Sequence, residues 1–389
     1  MAKPTYDFAI VGAGIAGSSC AYYLARAGRT CLLIEADEVA SGASGFSAGL
    51  ITPPIGSRLQ PPLRDLMLAA FDLHQELPDQ LRGGSGSGYE LRHGGSVLVA
   101  PEEATALALQ SLLDDPVPRG RGARWLEPGQ VGEVCPWLDQ PQAGGIYEPS
   151  AGNLDPDRLT RAICAAAQRA GARLTIDSVV ALEPSGLGFL VRGSRGDYRA
   201  GQVLLAAGPW TGALAGQLGF EDSVHPLKGQ ILRLRLPPPH SAVGFSCPDG
   251  SYLAPRPDGQ VWIGTTEESV GFDRSTTDAA RELILARARR LCSRIEGAEV
   301  LAQTACLRPL SRDGLPLIGP VPGVRGAWIC TGHGRTGMLL GPVSARELVN
   351  LILGRDTALS MAPFDPARLG AAGAPGGLEA GDPNDHGNS

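Results

Sequence analysis

The chain has 389 residues, 43% hydrophobic and 19% charged, with a formal net charge of −6. That length supplies two packed lobes with a sizeable core, and the acidic balance excludes the basic footprint of a nucleic-acid binder. The eight cysteines form no C-x-x-C pair, which argues against a zinc site and against a dithiol redox centre. No apolar run is long enough to span a bilayer, and the N-terminus leads into the first strand without a signal peptide. A reducing, cytoplasmic location is therefore expected.

Read in chain order, Phe8 to Val11 is an apolar run with the character of a buried strand. It is followed by Gly12-x-Gly14-x-x-Gly17, a helical pattern stopped by Gly28, and a second apolar run, Cys31 to Ile34, ending in Glu35. Strand, glycines, helix, strand and terminal acid together make the dinucleotide-binding fingerprint. Gly12 permits the tight turn, Gly14 lets backbone approach a pyrophosphate, and Gly17 lets the helix pack closely on the sheet. The helix N-terminus at Ile15 and Ala16 offers free N–H groups to phosphate. Glu35, followed by Ala36, stands where a carboxylate can accept from ribose hydroxyls.

The small residues of SGASGFSAGL (41–50) let backbone pass close to something flat. Residues 63–82 have helical spacing, 83–88 (GGSGSG) form a flexible loop, Tyr89 to Ala100 reads as a strand pair, and 102–113 as a helix. Gly144 to Tyr147 is a short strand. Asp155 and Pro156 open a helix over 157–170, and Arg173 to Leu182 is a strand. Gln202 to Leu205 is a buried strand ending in the turn at Gly208. KGQILRLRL (228–236) alternates as a strand should, and 251–266 is a hairpin about Asp258-Gly259. A helix is expected over 278–295, a buried strand over Ala327 to Cys330, and a helix from Gly337 to about Leu353.

Gly332-His333-Gly334-Arg335-Thr336-Gly337 spells the glycine motif a second time. No strand ending in an acid follows it, so it is not a second dinucleotide site. The better reading is a helix N-terminus aimed at partial negative charge, such as the pyrimidine edge of a reduced flavin.

Four segments carry a resemblance: the N-terminal fingerprint, SGASGFSAGL (41–50), SYLAPRPDGQVWIGTTEESVGFDRSTT (251–277), and TACLRPLSRDGLPLIGP with CTGHGRTGMLLGP (304–320, 330–342). In these the chain resembles the FAD-dependent amine and amino-acid oxidases of the D-amino-acid oxidase superfamily, most closely their glycine oxidase branch. The resemblance spans roughly residues 6–360. It implies an α/β FAD-binding, Rossmann-like domain with an inserted, mainly antiparallel β substrate domain. The expected FAD domain is discontinuous, over 1–80, 150–215 and 305–362. The substrate domain takes 81–149 and 216–304, and 363–389 is expected to be a disordered tail. By position, Ile15, Ala16, Glu35, Ala43, Ser44, Ala48, Gly49, Leu50, Val179, Gly208 and the run His333 to Met338 should line FAD.

Such oxidases take a hydride from the carbon beside an amine and pass it to the flavin, so the protein's main task is orientation. The resemblance gives Arg308 the role of binding the substrate carboxylate through its planar fork. Tyr252 matches a tyrosine able to hydrogen-bond the substrate, although a packed strand residue is an equal reading. Arg335 matches an arginine near the substrate end of the flavin, or else satisfies backbone groups. His333 is read as a local hydrogen-bonding group or flavin contact, not as a base, and the role of Arg256 is open. Cys306 matches the cysteine that sarcosine oxidases bond to flavin. Glycine oxidases carry no such link, and the packed free thiol is the preferred reading. The chain departs from the family pattern at Gly334, where a bulky residue is usual, at Thr336, where asparagine is common, and in lacking a lysine near Trp262. The first departure makes room for a substrate larger than glycine, and an acceptor other than oxygen stays open.

The implied activity is oxidation of the C–N bond of a small amino acid or N-alkyl amine, with oxygen or another carrier as acceptor. The alternatives are a dehydrogenase of the same fold, an oxidase of a carboxymethylamine on modified tRNA, or a flavin-binding subunit without turnover. The acidic charge speaks against the tRNA substrate, and Arg308 with Tyr252 against the inert subunit. A homo-oligomer is a weak expectation from related enzymes.

Overall fold

Thr5–Val11 lies at the centre of a parallel sheet, because its neighbours on both sides run in its own direction. Five parallel strands follow the order Arg173–Ile176, Cys31–Glu35, Thr5–Val11, Asp197–Leu205, Ala327–Thr331. The computed structural model describes residues 5–55, 61–81, 88–186, 188–221 and 223–370. The loop expected at 83–88 falls almost wholly outside these residues, as does the tail beyond Gly370. Among the described residues no helix is long and apolar enough to cross a membrane.

Alternate side chains of the central strands enter different cores, as a sheet covered on both faces requires. Phe8, Ile10 and Leu33 pack with the helices Ile15–Arg26, Pro61–Leu81, Pro156–Arg169 and Gly337–Ile352, while Ala9, Val11, Leu32 and Ile34 pack with Leu214 and Phe220 behind. Asp155 caps its helix by accepting from the Arg158 N–H at 3.1 Å.

The second sheet has eight strands, in the order Glu299–Ser311, Val224–Arg235, Gln260–Gly264, Tyr252–Pro255, Gly244–Ser246, Ser96–Ala100, Gly144–Glu148, Arg124–Leu126. All its pairings are antiparallel except Gly244–Ser246 with Ser96–Ala100. One face packs on the helix Asp278–Arg289 through Leu232, Leu234, Ile263 and Ile284. The other face, with Ile231 and Tyr252, turns toward the parallel sheet and meets Ala48 and Leu50.

The structure corrects the sequence reading at several points. The stretch 173–182 is not one strand. It breaks at Asp177, a carboxylate 2% exposed, which accepts from Ser194 Oγ at 2.7 Å, Tyr198 Oη at 2.8 Å and the Arg195 N–H at 3.0 Å. A buried carboxylate needs such donors, so the backbone turns to reach them. The helix expected over 278–295 stops at Arg289, and a short 3-10 turn, Ser293–Gly297, follows, held by Asp139 accepting from Ser293 N and Oγ at 2.7 Å each. The strand Glu299–Ser311 runs straight through the expected domain boundary at 304/305, so the substrate sheet continues to Ser311. Residues 363–370, placed in the expected tail, pack on the fold: Phe364 is 1% exposed, and Arg368 donates to Asp313 in two hydrogen bonds at 2.7 and 2.9 Å.

Candidate active site

The C-terminal ends of four parallel strands, at Val11, Glu35, Ala206 and Thr331, open onto one cleft of about 840 Å³. Open α/β sheets place ligands at this edge. Every site residue expected from the sequence lines this cleft except Gly17. Gly17 acts by packing instead. A Cβ there would lie 1.9 Å from the Gly12 carbonyl oxygen, so any side chain would force the helix off its strand.

At the fingerprint end, Gly12 has φ +102°, and a Cβ on it would lie 2.5 Å from the Ala206 oxygen. The helix starting at Ile15 has no acidic residue in its first turn and no side-chain cap of its own. At its start the Ile15 N–H donates to Ser44 Oγ at 2.9 Å, and in the turn before it the Ala13 N–H donates to Glu35 Oε2 at 2.6 Å. Positive helix-end potential, a terminal carboxylate and walls of Gly12, Gly14, Ala16, Ala43 and Ser44 suit a dinucleotide.

The middle of the cleft is shaped by Ala48, Gly49 and Leu50 on one segment, and by Val179 and Gly208 on others. Gly49 has φ +65° and would drive a Cβ into the Leu154 oxygen at 2.1 Å. Arg256, whose role the sequence left open, ties this segment to the substrate sheet. It donates to Leu154 O at 2.8 Å and to Ala48 O, and its guanidinium lies 3.8 Å from the Trp262 ring centroid. Arg233 also sits over Trp262, at 4.4 Å. Burial pushes the Arg256 guanidinium down to about 10, which keeps it charged near neutral pH.

At the far end, cross-strand register decides which side chains enter. Tyr252 pairs with Gly264, where a Cβ would stand 2.7 Å from its hydroxyl. Burial raises the phenol's pKa, so the hydroxyl keeps its proton. Arg308 pairs with Leu227, two positions from the Cys306–Gly229 pair and so on the same face of the strand. Its side chain is 12% exposed and donates to Thr265 Oγ1 at 2.7 Å and Thr266 O at 3.2 Å. Arg335 reaches Gly250 O at 3.5 Å. Glu267 Oε1 lies 3.3 Å from Arg335 Nη1 and 3.7 Å from Arg308 Nη1. His333 is buried, with Nε2 3.1 Å from Ser344 Oγ. Cys306 lines the cleft, and burial pushes its thiol pKa up.

The family model described as DAO, FAD dependent oxidoreductase, matches residues 7–351. The chain belongs to that family. Its cofactor is FAD, and it is an oxidoreductase of the glycine oxidase type. It is 31% identical to the glycine oxidase of Geobacillus kaustophilus over 93% of this chain and 97% of that one. The crystal structure of that enzyme superposes with a TM-score of 0.89, covering 94% of this chain and 99% of the other. The glycine oxidase of Pseudomonas aeruginosa is 33% identical over 92% of this chain and 98% of its own length. The iminodiacetate oxidase of Chelativorans sp. BNC1 superposes with a TM-score of 0.85 at 25% identity, covering 92% and 98%.

The sequence reading did not single out Gly229, Ile231, Thr265, Glu267 or Asp177. The alternation in KGQILRLRL carried a signal for the first two, since Gly229 and Ile231 must share a face. Thr265 and Glu267 lie within the segment 251–277 that carries the resemblance, which gave neither a role, and Asp177 had no signal. Thr265 and Glu267 owe their place to the loop 265–277, which buried Lys228 fixes by pairing with Asp273 at 2.8 Å and Glu268 at 3.2 Å. Gln230 adds bonds to Glu268 Oε1 at 2.9 Å and from the Thr277 N–H at 3.0 Å.

Proposed function

We propose that the chain oxidises the C–N bond of a small amino acid or N-alkyl amine, such as glycine, sarcosine or a small D-amino acid. The observation that carries this is Arg308. It is a nearly buried guanidinium in the same cleft as the dinucleotide fingerprint, hydrogen-bonded among the described residues to two neutral oxygens, with the Glu267 carboxylate farther off at 3.7 Å. Its fork matches a carboxylate in plane and spacing.

The fit to FAD rests on the glycines that keep side chains out of the cleft and on the N–H donors of the fingerprint helix. Gly12, Gly14, Ile15, Ala16, Ser44 and Glu35 would hold its nucleotide half. Ala48, Gly49, Leu50, Val179, Gly208 and the run His333 to Met338 would flank its ring. When bound, FAD supplies the two-electron acceptor for the hydride leaving the carbon beside the amine.

The chain's own residues do the rest. Arg308 holds the carboxylate and so sets which end of the substrate points into the cleft. The Tyr252 hydroxyl, kept protonated by burial, donates to the substrate. Ile231 and Tyr252 form an apolar wall that keeps water from the reacting carbon. His333 is engaged with Ser344, so no base is assigned to it, and the substrate amine reacts in its neutral form. Arg335, at the turn before the final helix, adds positive potential beside the substrate.

The test is an anaerobic absorbance titration of the holoenzyme with glycine, sarcosine, D-alanine and D-proline. Bleaching of the flavin band by one of them supports the reading, and none bleaching overturns it for this substrate class. Admitting air then separates an oxidase, which regains colour at once, from a dehydrogenase using another acceptor.

A further inference from the structure

Three charged side chains from separate segments meet beside the substrate end of the cleft, which Arg308 and Arg335 line and which Glu267 adjoins through them. Arg308 comes from the strand Glu299–Ser311, Arg335 from the turn Gly334–Thr336, and Glu267 from the loop after Gln260–Gly264. One oxygen of Glu267 is shared by both arginines, at 3.7 and 3.3 Å. Arg308 is largely buried, whereas Glu267 and Arg335 are about half exposed, at 46% and 47%. The hydrogen-bond partners of the two guanidiniums among the described residues are neutral: Thr265 Oγ1 and Thr266 O for Arg308, Gly250 O for Arg335. Arg274 also lines the cleft, outside this group.

We propose that Glu267 sets the substrate's charge, tuning the site to amines that carry a single carboxylate. The inference rests on the amino-acid oxidase reading above. Within this group, two guanidiniums against one carboxylate leave one positive charge beside the ligand. A monocarboxylate balances it. A second carboxylate, as in iminodiacetate or an amino dicarboxylic acid, finds its would-be partner Arg335 already paired and meets Glu267 as a like charge. Gly334 presents no side chain here, and the neighbour of a Cβ built on it is Leu310 Cδ1, at 3.5 Å. The proposed discrimination is electrostatic.

The experiment compares wild-type holoenzyme with Glu267→Gln and Glu267→Asp. Dissociation constants for acetate and malonate are read from the perturbation of the flavin spectrum, and kcat/KM is measured for glycine, sarcosine and iminodiacetate. Glutamine keeps the shape and removes the charge. It should raise affinity for malonate relative to acetate by about tenfold at low salt, an effect that shrinks as salt is added. Aspartate, which keeps the charge, should retain most of the wild-type preference. Thermal melts confirm that the variants fold. A wild-type enzyme bleached by glycine or sarcosine, paired with an unchanged acetate-to-malonate ratio in Glu267→Gln, overturns the role of Glu267 alone. A wild-type flavin that no amino acid bleaches and no carboxylate perturbs overturns the underlying reading, and this one with it.

Discussion

Gly229→Ala tests the anchor by moving Arg308 without changing it. A Cβ at residue 229 lies 2.2 Å from Arg308 Nη2, 2.4 Å from Cζ and 2.8 Å from Nη1, whereas ordinary contact begins at 3.4 Å. The guanidinium must retreat by about 1.2 Å (3.4 − 2.2) to make room. The obstacle is the free end of a flexible side chain and Gly229 has no positive φ, so the strand itself survives. The retreat draws Nη2 away from Thr265 Oγ1 and Nη1 away from Thr266 O, now at 2.7 and 3.2 Å. A misplacement of about 1 Å in a positioning group costs about 10²-fold in rate, or roughly 2.7 kcal/mol. The assay is kcat/KM for the best amino-acid substrate, with flavin content and melting temperature measured on the same sample. We expect kcat/KM to fall by about 10²-fold, chiefly through KM, with flavin retained. A variant with full flavin and kcat/KM within about threefold of wild type would refute the reasoning, since it would separate the Arg308 position from substrate binding.

Arg308→Ala removes the fork outright and should raise KM by on the order of 10²-fold or more while FAD stays bound; unchanged KM removes Arg308 from the anchor role. Acid precipitation should leave a colourless pellet and a yellow supernatant. Burial raises the Cys306 thiol's pKa and so withholds the thiolate that a covalent link requires, and a yellow pellet would contradict this. Burial also holds His74 down to about 4, with Nε2 3.1 Å from both Met338 O and Leu339 O. The unfolded chain therefore takes up this proton first, so the stability contribution is full above the ordinary histidine value. It is lost as pH falls toward 4, by about 3 kcal/mol in all. Urea midpoints of wild type and His74→Gln should converge over that window, and a constant gap would exclude the titration of His74 as the cause.

The two ends of the cleft were legible to very different degrees, and the difference has a physical origin. At the fingerprint end most of the constraint is local. Gly12 needs its own positive φ, Gly17 is forced by contact with Gly12 within one strand–helix turn, and Glu35 closes the next strand, so residue types announce the geometry. At the substrate end no constraint is local. Glu299–Ser311 is half buried along most of its length and shows no clean alternation, so it looked like no element at all. Its identity as a strand comes from its register against Val224–Arg235, a pairing between segments far apart in sequence. That register puts Arg308 beside Gly229, and a loop held by buried Lys228 brings Thr265 and Glu267 to the same point. The resemblance named Arg308 because its motif is local. It was silent on Glu267, because what makes that residue matter is its simultaneous contact with residues 308 and 335. On the proposed reading, specificity is set by the sum of charges at one spot, and that sum exists only after the chain has folded. A family motif can therefore carry a residue such as Glu267 within it while leaving that residue's part in the choice of substrate to be read from the fold.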